Sequence, residues 1–177
     1  RALLSSLFYT NNGEFNFHIL QRIRQFDSNK YYQFVQKIDQ YDYSNLIDIK
    51  VVSKYWELAQ KKFTEVGDDF IFKTHAANLM WKNYKYTDEN RTLGVIYLVR
   101  DPRDIAVSYA HHFDQDIDTI INQMVRIDAI TQNPGKTIGI PLSSWNVHIQ
   151  SWEMLNVPKF FIRYEDLIKE PKKIFSD

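Results

Sequence analysis

The stretch that most constrains the fold runs from Gly94 to Phe113, GVIYLVRDPRDIAVSYAHHF, because it passes from strand chemistry to helix chemistry within two residues. Val95 to Val99 is a short β-branched and aromatic run of the kind that forms a buried strand. Asp101 reads as an N-cap, and Pro102 sits where a first-turn proline is tolerated. Asp104 sets a second carboxylate near the positive end of the helix. A strand therefore ends and a helix begins around Arg100. With Ser108 further along that helix, a guanidinium and a hydroxyl are placed to meet one anion near the strand's carboxyl end.

That anion needs a local cluster, because the chain as a whole is electrically balanced, with 22 basic and 22 acidic residues. Global charge gives no reason to expect a nucleic acid or an anionic membrane as partner. The 177 residues suffice for one domain with a real core, and a single domain over residues 1–177 is expected. Cysteine is absent, which removes disulfides, thiolate metal sites and cysteine nucleophiles. No apolar run approaches the ~20 residues of a membrane span. The sequence opens on a helical apolar pattern, Arg1 to Phe8, without an initiating methionine, and closes in another at Lys172 to Asp177. It therefore reads as an internal stretch of a longer protein.

Around the central strand and helix, the remaining segments fall into alternating classes. A helix over residues 1–8 ends at the turn residues Thr10 to Gly13. Phe15 to Phe63 is rich in aromatics (Tyr31, Tyr32, Phe34, Tyr41, Tyr43, Tyr55, Trp56), with helical pieces at Phe17 to Phe26, Tyr31 to Ile38 and Lys50 to Phe63. These aromatics fit either a helical cover over a sheet or a wall facing an acceptor molecule. Asp69 to His75 is a second strand, whose alternation puts Ile71, Lys73 and His75 on one side. Asp116 to Ile130 has the spacing of a packing helix. Gly135-Lys136-Thr137 imitates the end of a phosphate-binding P-loop, but Ile130 stands where that motif needs glycine and no strand precedes it. Ser143-Ser144-Trp145 onward to Leu155 reads as a helix with a serine cap, in which His148 lies between Trp145 and Trp152 and reads as structural. Lys159 to Tyr164 is a third strand, and Glu165 to Phe175 is a helix interrupted at Pro171. Strands alternating with helices predict an α/β domain with a mainly parallel sheet.

Three blocks, in order and spacing, resemble the sulfotransferases that use 3'-phosphoadenosine 5'-phosphosulfate (PAPS). Lys73-Thr74-His75 resembles that family's Lys-Thr-His segment. Arg100 to Tyr109, RDPRDIAVSY, is similar to its Arg-x-Pro-x-Asp-x-x-x-Ser-Tyr block, and Arg163 to Leu167, RYEDL, to its Tyr-Glu-Asp segment. The likeness covers about Asp69 to Phe175, and the second block is its most specific part. It implies a three-layer α/β/α, P-loop NTPase-like fold in a cytoplasmic enzyme. The family's 5'-phosphosulfate loop would lie just before Arg1 and its Arg-Lys-Gly phosphate contacts beyond Asp177. The fold is thus expected to be incomplete, and the stretch shown is not expected to complete catalysis unaided.

Carried over residue by residue, the resemblance implies that Arg100 and Ser108 bind the 3'-phosphate of PAPS and that Tyr164 contacts the adenine. His75 would be the general base that takes the proton of an attacking hydroxyl or amine, and Lys73 would stabilise charge growing on the bridging oxygen as the product nucleotide, 3'-phosphoadenosine 5'-phosphate (PAP), departs. Positioning and electrostatics would supply most of the catalysis, by analogy with phosphoryl transfer, and no metal is called for. His111 and His112, adjacent on a helix and ~100° apart, make a poor metal pair. The acceptor would be a small molecule or carbohydrate. Two other readings share these residues: a non-catalytic regulator that keeps the 3'-phosphate site, and a P-loop kinase of similar architecture. Acceptor identity and oligomeric state are not written in the sequence.

Overall fold

A computed structural model of the chain describes residues 1–33, 46–64, 67, 69–131 and 136–174. Phe34, Tyr41, Tyr43, Gly135 and Phe175, named above, lie outside the described residues, as does most of the expected Tyr31 to Ile38 helix. Two compact units emerge, one from residues 1–76 and 132–140, the other from 77–131 and 141–177.

The first unit begins with α1 (Ala2–Tyr9), whose inward positions are Ser5 and Ser6. Both hydroxyls donate back to the Ala2 carbonyl, at 2.8 and 3.2 Å, so the small polar side chains are satisfied where they are buried. Phe17 to Phe26 is not the helix its spacing suggests. A 3₁₀ turn covers Phe17–Arg22, and then β1 (Arg24–Gln25) runs parallel to β2 (Phe72–Lys73), with Arg24 opposite Phe72 and Gln25 opposite Lys73. Pairing with a strand almost fifty residues away wins over local periodicity because it buries Ile23 and Phe26.

Aromatic rings fill this unit's core. Phe26, Tyr31, Tyr32 and Trp56 are buried, and Phe26 meets Tyr31, Tyr32 and Phe72 with ring centroids 5.5 to 5.7 Å apart. Each such pair contributes ~0.5–1.5 kcal/mol beyond the area it buries. The Tyr31 hydroxyl donates to the Ala59 carbonyl. Of the two roles open to the described aromatics, these rings take the covering one. The helical region is split into α2 (Ile49–Val52), a 3₁₀ turn at Ser53–Tyr55 and α3 (Trp56–Thr64), with Asp48 capping α2 through the Lys50 N–H at 2.8 Å. Residues 136–140 return to this unit: the Ile138 N–H donates to the Asp27 carbonyl (3.0 Å) and the Gly139 N–H to the Leu46 carbonyl (2.8 Å).

In the second unit, β3 (Met80–Trp81) and β4 (Tyr84–Lys85) form a hairpin turned through Lys82, whose φ of 54° is left-handed. The central stretch folds as its residues predict. β5 (Val95–Val99) leads through the N-cap Asp101, which accepts the Arg103 N–H at 2.9 Å, into α4 (Pro102–Phe113). Full burial of β5 is corrected, since Ile96 and Leu98 are exposed while Val95, Tyr97 and Val99 are half-buried. The covered face is the one carrying Tyr97, which meets His148.

The helix expected over Asp116 to Ile130 is shorter. Following the Asp116 cap, α5 (Ile117–Met124) stops before the Arg126–Asp128 ion pair. The Ala129 carbonyl beyond it accepts the Leu142 and Ser143 N–H groups, which holds that backbone outside a helix. Short strands β6 (Ile130–Thr131) and β7 (Ile140–Pro141) follow. Next come α6 (Trp145–Glu153), capped by Ser144, and β8 (Lys159–Arg163). The strand β8 leads into α7 (Tyr164–Lys169) and α8 (Pro171–Ile174), with the break at Glu170 that Pro171 predicts. Parallel pairing of β5 with β8 puts Val95 opposite Lys159 and Val99 opposite Arg163. Mixed helices and strands with parallel pairs agree with the α/β class.

Candidate functional site

Strand register decides the first group of candidate residues. Because Val99 and Arg163 are the last paired positions of β5 and β8, the next residue on each strand, Arg100 and Tyr164, leaves the sheet at the same end. The guanidinium of Arg100 lies over the Tyr164 ring, 4.8 Å from its centroid. Buried Arg100 Nε has no hydrogen-bond partner among the described residues, and its nearest carboxylate is that of the more exposed Asp104, at 3.9 Å. A buried N–H donor on a cation is costly unless an acceptor reaches it. Ser108 is exposed two turns along α4. The Asp101 N–H donates to Glu165 Oε1 at 3.3 Å, tying the start of α4 to α7. A bond from its own backbone N–H, and then that from Asp101, hold the Glu165 carboxyl below the usual range.

The second group sits at the end of β2 in the other unit. Lys73 and His75 are both half-buried, as are Phe72 and Thr74 beside and between them, and the paired strand is only Phe72–Lys73 rather than Asp69 to His75. Beyond Lys73 the backbone leaves the ladder because a side chain takes its bonds. The carboxylate of Asp27 accepts the His75 N–H (2.8 Å, Oδ2) and the Thr74 hydroxyl (2.9 and 3.2 Å), and Thr74 Oγ1 accepts the Ala76 N–H (3.0 Å). Imidazole Nδ1 of His75 is 3.6 Å from Asp27 Oδ2. Burial pushes the Lys73 ammonium below its ordinary value; the positive charge of Arg1 acts in the same direction and Asp27 in the opposite one.

A lysine and a histidine at one strand end, and an arginine over a tyrosine at a strand-to-helix turn, are groups that can hold an anion. Among the described residues no group of three or more His, Cys, Asp and Glu side chains is arranged to hold a metal ion. His111 and His112 are both exposed. Nor is any helix among the described residues long and apolar enough to cross a membrane.

The family model described as the sulfotransferase domain matches residues 3–176. The chain belongs to the sulfotransferase family. The match reaches beyond the three sequence blocks into the first seventy residues. As a sulfotransferase, the protein is expected to move sulfuryl groups, and the two residue clusters become the places to look for that chemistry.

Sequence reading missed Asp27. In Phe26-Asp27-Ser28-Asn29, ahead of helical residues 29–33, an aspartate looks like an ordinary cap on a solvated turn. Its burial, 0 % exposed, comes from contacts to residues 74, 75 and 138, which no local pattern announces. Nothing local marks Tyr97 as more than a strand residue, yet its hydroxyl meets His148 Nδ1 at 2.6 Å, which gives that histidine the packed, structural role its tryptophan neighbours suggest.

Proposed function

We propose that this sulfotransferase carries a sulfuryl group from PAPS to the hydroxyl or amine of a small-molecule or carbohydrate acceptor. The observation that carries the reading is Arg100: a buried guanidinium N–H without a hydrogen-bond partner, lying over the Tyr164 ring, suits a phosphate and an adjoining flat base. Arg100 and Ser108 would bind the 3'-phosphate and Tyr164 the adenine. The turn from β5 to α4 would add the positive end of a helix to the same anion.

In the transfer itself, the acceptor oxygen or nitrogen attacks sulfur in line as the bond from sulfur to the bridging oxygen of the 5'-phosphate breaks. His75 takes the proton that the acceptor loses, and Lys73 offsets the negative charge left on the bridging oxygen, so that sulfated acceptor and PAP are the products. The lowered pKa of Lys73 reflects burial, and buried cations stabilise developing charge more strongly than solvated ones. The match of the sulfotransferase domain over residues 3–176 supports reading the chain as part of one functional domain.

The test is radiolabelled sulfuryl transfer from [³⁵S]PAPS by the full-length protein, with a panel of phenols, alcohols, amines and sugars. Transfer in the wild type and a fall of ~10²- to 10⁴-fold in kcat for His75→Ala are expected. Undiminished turnover in that variant removes His75 as base. Tight PAP binding with no transfer to any acceptor replaces the enzyme with a nucleotide-responsive regulator.

A further inference from the structure

The base assigned above does not stand alone: we infer that Asp27 is the positioning residue that fixes the orientation and tautomer of His75, an inference that rests on the reading of His75 as the base. Three observations converge. The Asp27 side chain is wholly buried, whereas that of His75 is 40 % exposed. Its Oδ2 accepts the His75 backbone N–H at 2.8 Å, and both oxygens accept the Thr74 hydroxyl, so the turn leaving β2 is clamped on the residue before the imidazole and on the imidazole's own backbone. That same oxygen lies 3.6 Å from Nδ1 of the ring.

A carboxylate on the Nδ1 side favours the proton there through its charge, at 3.6 Å rather than at hydrogen-bond distance. The Nε2 lone pair, on the far side of the ring, is then the one left to accept a proton. An imidazole with its proton on Nε2 would present a donor to the acceptor hydroxyl and no base. The backbone of Asp27 is itself held, since its carbonyl accepts the Ile138 N–H at 3.0 Å. The neighbouring Phe26 N–H donates to the Lys73 carbonyl at 2.8 Å, so one short segment sets the positions of both Lys73 and His75. A buried carboxylate in this role acts through the histidine and touches no reacting atom.

The experiment uses the full-length protein with [³⁵S]PAPS as donor and 4-nitrophenol, or water in its absence, as acceptor. Asp27→Asn is expected to lower kcat at least ~10-fold with little change in PAPS KM. In the Asp27→Asn/His75→Ala double variant the loss should not exceed that of His75→Ala alone, because the two residues act as one unit. Nitrogen-15 NMR of His75 in the wild type should show Nδ1 protonated and Nε2 bare in the neutral ring, a readout that needs no variant and so survives any failure of Asp27→Asn to fold. A neutral ring protonated on Nε2 overturns the inference, as does full activity of Asp27→Asn beside an inactive His75→Ala. Full activity of His75→Ala, by contrast, sinks the underlying assignment of the base.

Discussion

The guanidinium of Arg100 and the ring of Tyr164 face each other at 4.8 Å although 64 positions separate them in the chain. Their meeting follows from the five-residue parallel register of β5 and β8, which ends at Val99 and Arg163. If this pair seats the nucleotide, Arg100→Ala should weaken PAP binding ~10- to 100-fold, the range of hydrogen bonds to a charged group. Arg100→Lys should recover only part of it, because an ammonium lacks the planar fork. Isothermal calorimetry with PAP measures both, and unchanged affinity in Arg100→Ala would remove the residue from the site.

The N-cap of α4 gives a pH signature. Asp101 accepts the Arg103 backbone N–H at 2.9 Å and its guanidinium at 2.9 and 2.5 Å, and these bonds, the side-chain ones first, hold its carboxyl down to about 2 from an ordinary 3.8. With the folded pKa below the unfolded one, Asp101 contributes stability that is present above pH 3.8 and is lost as pH falls toward about 2. Thermal melts of wild type and Asp101→Ala should differ most near neutrality and converge at the acid end.

Gly139 has no room for a methyl group. A Cβ there would press on the backbone carbonyl of Ile47, next to the bond from the Gly139 N–H to the Leu46 carbonyl at 2.8 Å. Backbone on that side leaves nothing flexible to yield, so Gly139→Ala is expected to cost ~1–3 kcal/mol in urea unfolding. A neutral result would mean that residues 46–47 shift freely.

Tyr97→Phe removes the 2.6 Å hydrogen bond to His148 Nδ1 and should lower stability by ~0.5–1.5 kcal/mol. Burial raises the Tyr97 hydroxyl above its ordinary 10.0, so the unfolded chain releases this proton first and wild-type stability declines as pH climbs past that value. The phenylalanine variant should lack that component of the decline, which denaturant melts between pH 9 and 11 would detect.

Much of the second unit is written locally. A β-branched run followed by Asp, Pro and Asp leaves few alternatives to a strand, a cap and a helix, and the structure has β5, Asp101 and α4 at those residues. Serine before a helix and proline inside one marked α6 and the break before α8 in the same way. Such signals are short-range because caps and proline rings act within a turn.

What the sequence determined, then, is the set of chemical groups and the elements that carry them: Lys73, His75, Arg100, Ser108 and Tyr164, each on or beside a strand or helix that propensity and capping dictate. Tertiary structure decided the rest. It turned Arg24 and Gln25 into a strand by pairing them with Phe72 and Lys73, and it placed Arg100 over Tyr164 by strand register. It also took Asp27 out of water to bind Thr74 and His75. Those outcomes depend on burial and on partners tens of residues away, and a pattern that repeats every two or four residues holds no information about either.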